Sequence, residues 1–126
     1  MHATTHLEVR AGLACFRPSG PSDLTKIVDL IAEAIGRCRH RGINKLLVNT
    51  TAVTGIAVPS LVDRFLAVEE WATIADGLVV VALVTRAEYI DPGRFGIKVA
   101  AHFGLMANVF VDEADALAWL ADAAPA

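Results

Sequence analysis

Apolar and polar residues alternate along the first part of the chain with the period of a β-strand. Residues 7–10 and residues 13–16 both show this alternation, and Ala11-Gly12 separates them. Two alternating segments on either side of a short turn are typical of an antiparallel hairpin. Pro18 and Gly20 then interrupt the pattern, so we expect the hairpin to end there.

The next apolar residues are spaced three and four positions apart, which is the spacing of one face of a helix. Ser22 stands where a hydroxyl could cap the first turn. Gly42 follows the last apolar position and suits the residue just beyond a helix end. The predicted apolar stripe contains Leu24, Ile27, Val28, Ile31, Ala34, Ile35 and Cys38.

A second strand and helix unit follows. Residues 45–49 predict a strand and residues 50–58 a loop, and Pro59 suits the first turn of a helix, where its missing N–H is no loss. This helix has a broad apolar arc that includes Leu61, Val62, Phe65, Leu66, Val68, Trp71 and Ala72. One face of a sheet should not need so much apolar surface, so we expect part of it to contact a partner.

The second half of the chain repeats the same alternation of strand and helix. Residues 78–84 are continuously apolar, which indicates a parallel strand covered on both faces, and we expect it to be the middle strand. Asp91-Pro92 predicts the start of a third helix. Residues 108–111 predict a last strand, after which Asp112 caps a fourth helix.

The resulting order is β-β-α-β-α-β-α-β-α. It predicts an α/β fold with a mixed, mostly parallel sheet of about five strands flanked by about four helices. No repeat or long linker divides the chain, so we expect residues 1–126 to form a single domain. Residues 1–6 are polar, and we expect them to be a mobile N-terminus.

Composition and charge narrow the classes of function. The net charge is −3 and the 11 Lys and Arg residues are spread along the chain, so we expect no nucleic-acid partner. The longest apolar run is far shorter than the roughly 20 residues of a membrane-spanning helix. We therefore expect a cytoplasmic protein without a transmembrane segment, in which Cys15 and Cys38 remain free thiols.

Signatures of catalysis and of metal binding are absent from the sequence. The chain lacks the glycine-rich nucleotide loops, the Gly-x-Ser-x-Gly elbow and the His-Glu-x-x-His motif. Its histidines have no metal-ligand spacing. We therefore expect no enzymatic activity, no metal and no cofactor.

Hydroxyl and amide side chains follow the predicted strands. Ligands of parallel α/β sheets gather beyond the carboxyl ends of the strands, so these side chains are candidates for facing a ligand. The candidates are Asn49, Thr50, Thr51, Thr54, Thr85 and Arg86. The alternative is that they form turns and caps, where such side chains bond to the nearby backbone.

Three segments, together with the element order, resemble the SpoIIAA-like family, which includes STAS domains. They are residues 16–20, residues 46–55 and residues 110–120, and the resemblance covers nearly the whole chain. It implies a non-enzymatic protein-interaction or regulatory module that binds a protein partner or forms a homodimer. The alternative is a small-molecule or lipid-binding domain, because relatives share the fold of CRAL-TRIO proteins and some STAS domains bind nucleotides.

The start of the second predicted helix departs from this family. Members that antagonise anti-sigma factors carry an Asp-Ser-x-Gly-Leu-like motif there, and its serine is phosphorylated. The corresponding residues here are Ala57, Val58, Pro59, Ser60 and Leu61, so only the leucine is retained. Ser60 is the remaining hydroxyl and a candidate phosphosite, since a helix N-terminus favours a phosphate. The alternative is an ordinary serine of the first turn.

Overall fold

The computed structural model describes residues 7–123, and the predicted mobile N-terminus lies outside them. Within this range the chain forms seven strands and four helices, with a single 3-10 turn at Ala87–Tyr89. In chain order they are β1 (Glu8–Arg10), β2 (Leu13–Phe16), β3 (Ser19–Pro21), α1 (Leu24–His40), β4 (Lys45–Asn49), β5 (Ala52–Thr54), α2 (Leu61–Ala75), β6 (Val80–Val84), α3 (Phe95–His102), β7 (Ala107–Phe110) and α4 (Glu113–Asp122).

The main sheet has five strands in the order β1-β2-β4-β6-β7. β1 is antiparallel to β2, and the other neighbouring pairs are parallel. The predicted α/β architecture, the hairpin and the mixed sheet are thus confirmed.

The prediction that residues 78–84 form the middle strand is wrong. β4 holds the middle position, and β6 is the next strand out. Leu78 precedes β6 and is 52% exposed. An apolar run shows that a strand is covered on both faces, but β4 is covered as well, with Leu46, Leu47 and Val48 all buried. Strand order depends on which strands pair, and hydrophobicity does not encode it.

Helices cover the two faces of the sheet unequally. The larger core packs α1, α2 and α3 on one face and includes Ile35, Leu46 and Val81. The smaller core packs α4 on the opposite face through Leu47 and Leu120. Successive strand residues point to opposite faces, so neighbouring leucines of β4 enter different cores.

The starts of the first two helices differ from the prediction. Asp23, not Ser22, caps α1, and its Oδ1 accepts the N–H of Lys26 at 2.8 Å. Ser60 caps α2, so Pro59 lies before the cap instead of inside the first turn. Adjacent polar residues can both cap a helix, and the path of the incoming chain selects one of them.

The third helix begins later than predicted. α3 starts at Phe95, not directly after Asp91-Pro92. The Asp91 carboxylate still bonds to the helix end, because its Oδ2 accepts the N–H of Phe95 at 3.0 Å. β7 lies one residue earlier than expected, and Asp112 caps α4 as predicted.

A small second sheet was not predicted. β3 and β5 pair in parallel and hold the segment after β4 against the start of α1. The N–H of Ser22 donates to the carbonyl of Thr54 at 2.9 Å. Gly55 has a φ of +85°, and a Cβ there would lie 3.1 Å from the Ser22 carbonyl oxygen. These strands have three residues each, and one contains Gly and Pro, so no apolar pattern marks them.

Candidate functional site

Two of the predicted strand-end residues meet at the carboxyl ends of β4 and β6. Thr50 Oγ1 lies 3.1 Å from Thr85 Oγ1 and 3.4 Å from the carbonyl oxygen of Val84. Thr85 is only 7% exposed. A hydroxyl pair this close to the core can offer a hydrogen bond to a bound molecule on the helix side of the sheet.

Three of the other predicted residues do not join this pair. Asn49 Oδ1 accepts from the N–H and the hydroxyl of Thr51, at 3.0 and 2.6 Å. Its amide nitrogen donates to Glu113 Oε2 at 2.8 Å. Thr54 is exposed on β5, where its carbonyl accepts from Ser22. Of these contacts, those between Asn49 and Thr51 are of the turn type that the alternative describes.

Arg86 holds the segment after β4 in place. Its Nη2 donates to the carbonyl of Val53 at 3.0 Å, and its guanidinium lies 5.4 Å from the Tyr89 ring centroid. The Tyr89 hydroxyl donates to the carbonyl of Ile56 at 2.6 Å. Arg86 Nε is buried without a hydrogen-bond partner among the described residues, and Glu88 Oε2 lies 3.9 Å away.

Ser60 closes a capping box at the start of α2. Its Oγ accepts the N–H of Asp63 at 3.0 Å, and Asp63 Oδ2 accepts the N–H of Ser60 at 3.1 Å. This arrangement stabilises the first turn. A phosphate on Ser60 would stand beside the Asp63 carboxylate and repel it. No observation tests the modification, so phosphorylation of Ser60 stays a prediction.

An ion-pair cluster joins the hairpin, β4 and α4. Arg17 bonds to both oxygens of the Glu113 carboxylate, at 2.8 and 3.0 Å, and to Glu8 at 2.7 Å. The Arg17 and Asn49 hydrogen bonds lower the pKa of Glu113. Arg17 and Glu113 are 96 positions apart, so spacing along the sequence carries no signal for this cluster.

We expect Glu113→Gln to lower the free energy of unfolding at pH 7 by about 0.5–1 kcal/mol, because Arg17 is 43% exposed and solvent screens the pair. A carboxyl whose pKa is depressed by folding stabilises the protein above its ordinary pKa of 4.5 and loses that effect as pH falls through the folded value. The difference between variant and parent should therefore shrink toward zero in acid.

Urea unfolding of both proteins at pH 7 and at acid pH measures this difference. Glu70→Gln is the control, because Glu70 is exposed on α2. A Glu113→Gln effect of the same size at both pH values would contradict the prediction.

An apolar cavity of about 190 Å³ lies between the sheet and helices α1, α2 and α3. Ile31, Trp71 and Leu83 are among the residues that line it, and Thr50 and Thr85 reach it at the strand ends. The indole Nε1 of Trp71 donates to the carbonyl of Val28 at 3.0 Å, which ties α2 to α1. The sequence did not reveal this cavity.

The first half of α2 exposes large apolar side chains, as the broad apolar arc predicted. We call this surface the α2 face; it consists of Val58, Leu61, Val62, Phe65, Leu66 and Phe103. The rings of Phe65 and Phe103 meet edge to face with centroids 5.6 Å apart, which joins α2 to the end of α3. Trp71 is not part of this face, since it is half-buried against α1.

Residues 7–123 contain no group of three or more His, Cys, Asp or Glu side chains placed to hold a metal ion. None of the helices in this range combines the length and the apolarity needed to cross a membrane.

Comparisons with known proteins bear on the fold. No family model matches the chain, and no curated protein matches it. Among solved structures, the chain is similar to an anti-sigma factor antagonist from Mycobacterium paratuberculosis, with 19% identity and a TM-score of 0.58 over 94% of each chain. At this identity the similarity concerns the fold alone. The chain thus has the fold of a STAS-type domain, as its resemblance to the SpoIIAA-like family implied.

Proposed function

We propose that the chain is a non-enzymatic, regulatory protein-interaction module that binds a partner protein through the α2 face. The observation that carries this proposal is the exposure of large apolar side chains on one helix, with Val62 67% and Leu66 56% exposed. Contiguous apolar surface of this kind is typical of interaction sites. The structural neighbour is described as an antagonist of an anti-sigma factor, which is itself a protein.

Most of the α2 face lies outside the packing of the core. The buried residues of α2 are Ala67, Val68, Ala72 and Ala75, which lie in its middle and second half. Apart from Val68 they are alanines, so α2 packs closely on the core with small side chains and Trp71, while Leu61, Val62 and Leu66 remain outside. These larger side chains therefore remain available to a partner.

Charges on α2 indicate the chemistry of that partner. The exposed charged residues of this helix, Asp63, Glu69 and Glu70, are all acidic. Arg64 is half-buried, and its Nη1 donates to the carbonyl of Tyr89 at 2.8 Å. We expect the partner to present an apolar patch flanked by Lys or Arg, since complementary charge at the edge of an interface speeds association and selects the partner.

Site-specific crosslinking tests the proposal. A photoreactive residue at position 66, in extract of the source cells, should crosslink a protein that position 117 does not. Leu117 is the matched control because it is a partly exposed leucine, 37% accessible, on α4 at the opposite face of the sheet. The crosslinked protein is then purified and titrated against the chain.

We expect Leu66→Asp to weaken this binding at least about tenfold and Leu117→Asp to leave it unchanged. Both variants should fold, because the changes lie at accessible positions. Equal binding by both variants, or no crosslink specific to position 66, would refute the proposal. If position 66 crosslinks instead to a second copy of the chain, and Leu66→Asp no longer forms dimers, the α2 face serves self-association and not the binding of a different protein.

A further inference from the structure

We propose that the cavity beneath α2 binds a small, uncharged molecule that is mostly apolar, has about the size of one substituted aromatic ring, and carries one hydroxyl or carbonyl group. The site is separate from the α2 face, and it does not depend on the function proposed above. Its walls come from the sheet and helices α1, α2 and α3.

The volume of the cavity sets the size of the molecule. At about 190 Å³ it is somewhat larger than an engineered cavity of about 150 Å³ that is known to hold benzene. Pockets for drug-sized ligands begin at about 300 Å³. A single ring with one or two substituents therefore fits within this volume, whereas a nucleotide or a long-chain lipid would extend beyond it.

The walls favour an apolar ring. Ile31, Leu83 and Ala100 line the cavity, together with the indole of Trp71. The hydrogen bond from Trp71 Nε1 to the Val28 carbonyl fixes the indole in one orientation. A fixed aromatic wall can pack against a flat ring without a further loss of side-chain entropy.

A buried threonine pair supplies one polar contact. Thr50 Oγ1 can donate to Thr85 Oγ1, which lies 3.1 Å away, and the Thr85 hydroxyl is then left to donate to an acceptor in the cavity. A hydroxyl or carbonyl oxygen of a bound molecule provides that acceptor. Because Thr85 is buried, a hydrogen bond to it discriminates more strongly than one made in water.

Charges at the edge of the cavity favour an uncharged molecule. Two acidic and two basic side chains line it, so their charges cancel. Each of them already forms a hydrogen bond with a neutral group of the protein. The four are Asp63, Asp91, Arg64 and Arg94. The lining therefore has no net charge that would favour an anion or a cation, and a charge placed against apolar walls costs free energy.

Tryptophan fluorescence measures binding directly. The chain has two tryptophans, and Trp119→Phe leaves Trp71 in the cavity wall as the single reporter. We expect p-cresol and toluene to change its emission saturably and to raise the Tm of the protein, with p-cresol binding more tightly. Benzoate should bind at least tenfold more weakly than p-cresol, and ATP and palmitate should cause no saturable change.

Two alanines of α3 provide a matched pair of variants. Ala100→Leu places a larger side chain in the cavity and should reduce p-cresol binding at least tenfold, whereas Ala101→Leu adds the same group at an exposed position and should not. If Ala100→Leu fails to fold, Thr85→Val decides, because it keeps the shape and removes the hydroxyl. This variant should lose the preference for p-cresol over toluene.

Several results would overturn the proposal. They are the absence of saturable binding by any neutral ring, unchanged binding to a folded Ala100→Leu protein, and unchanged preference for p-cresol in Thr85→Val. Tighter binding of benzoate or palmitate than of p-cresol would assign the cavity to a different class of ligand.

Discussion

Replacing Leu46 by alanine is expected to lower the free energy of unfolding by about 3–4 kcal/mol. Leu46 lies on β4, the middle strand, and its side chain is fully buried in the core beneath the helices. Removing a buried leucine loses the transfer free energy of its methyl groups and leaves a cavity that the surroundings fill only partly. β4 is hydrogen-bonded to strands on both sides, which limits such relaxation.

Denaturant unfolding of Leu46→Ala and Leu66→Ala measures this effect. Leu66 is the matched control because it undergoes the same change at an exposed position, where we expect an effect within about 0.5 kcal/mol. Equal losses of unfolding free energy in the two variants would show that the α2 face is packed within the protein itself. This outcome would also contradict the assignment of the α2 face as a binding surface.

Replacing Trp71 by alanine should lower the free energy of unfolding by about 3 kcal/mol. The indole packs α2 against α1 and forms one wall of the cavity. The space left by its removal therefore joins the existing cavity. Substitutions of large aromatic residues by alanine cost about 3–5 kcal/mol. We expect the lower end of this range because a side chain beside a cavity has fewer neighbouring atoms to lose.

Trp71→Phe separates the ring from its hydrogen bond. Phenylalanine retains most of the apolar contact but cannot donate to the Val28 carbonyl. We therefore expect the free energy of unfolding to fall by about 1 kcal/mol. Thermal and denaturant unfolding of Trp71→Ala and Trp71→Phe measure the two losses of unfolding free energy. If Trp71→Phe were as destabilising as Trp71→Ala, the hydrogen bond would dominate and the packing argument would be wrong.

The Trp71 prediction concerns how α2 is anchored. Trp71 and the small residues in its middle and second half hold the helix to the core, while Leu61, Val62 and Leu66 in its first half remain exposed. Changes to the α2 face should therefore alter binding with little effect on stability. This separation makes the test of the interaction surface independent of folding.

The candidate site was predicted only in part. The sequence indicated that hydroxyl and amide side chains follow the strands, and the structure brings Thr50 and Thr85 together at one end of the cavity. Asn49 and Thr51 bond instead to each other. Whether a residue just after a strand points toward one layer of helices or the other depends on a few backbone angles in the loop, and the residue type does not specify them.

The sequence by itself determined the type and order of the main elements, the apolar stripe of α1 and the excess apolar surface of α2. These features follow from periodicities of 2 and 3.6 residues, which reflect how one segment divides its side chains between core and solvent. Only the tertiary structure decided that β4 is the middle strand, that Arg17 pairs with Glu113, and that a cavity lies beneath α2. Each of these depends on segments that are distant along the chain. Strand order, ion pairs and empty volume arise only where the shapes and charges of such segments meet, so no local pattern encodes them.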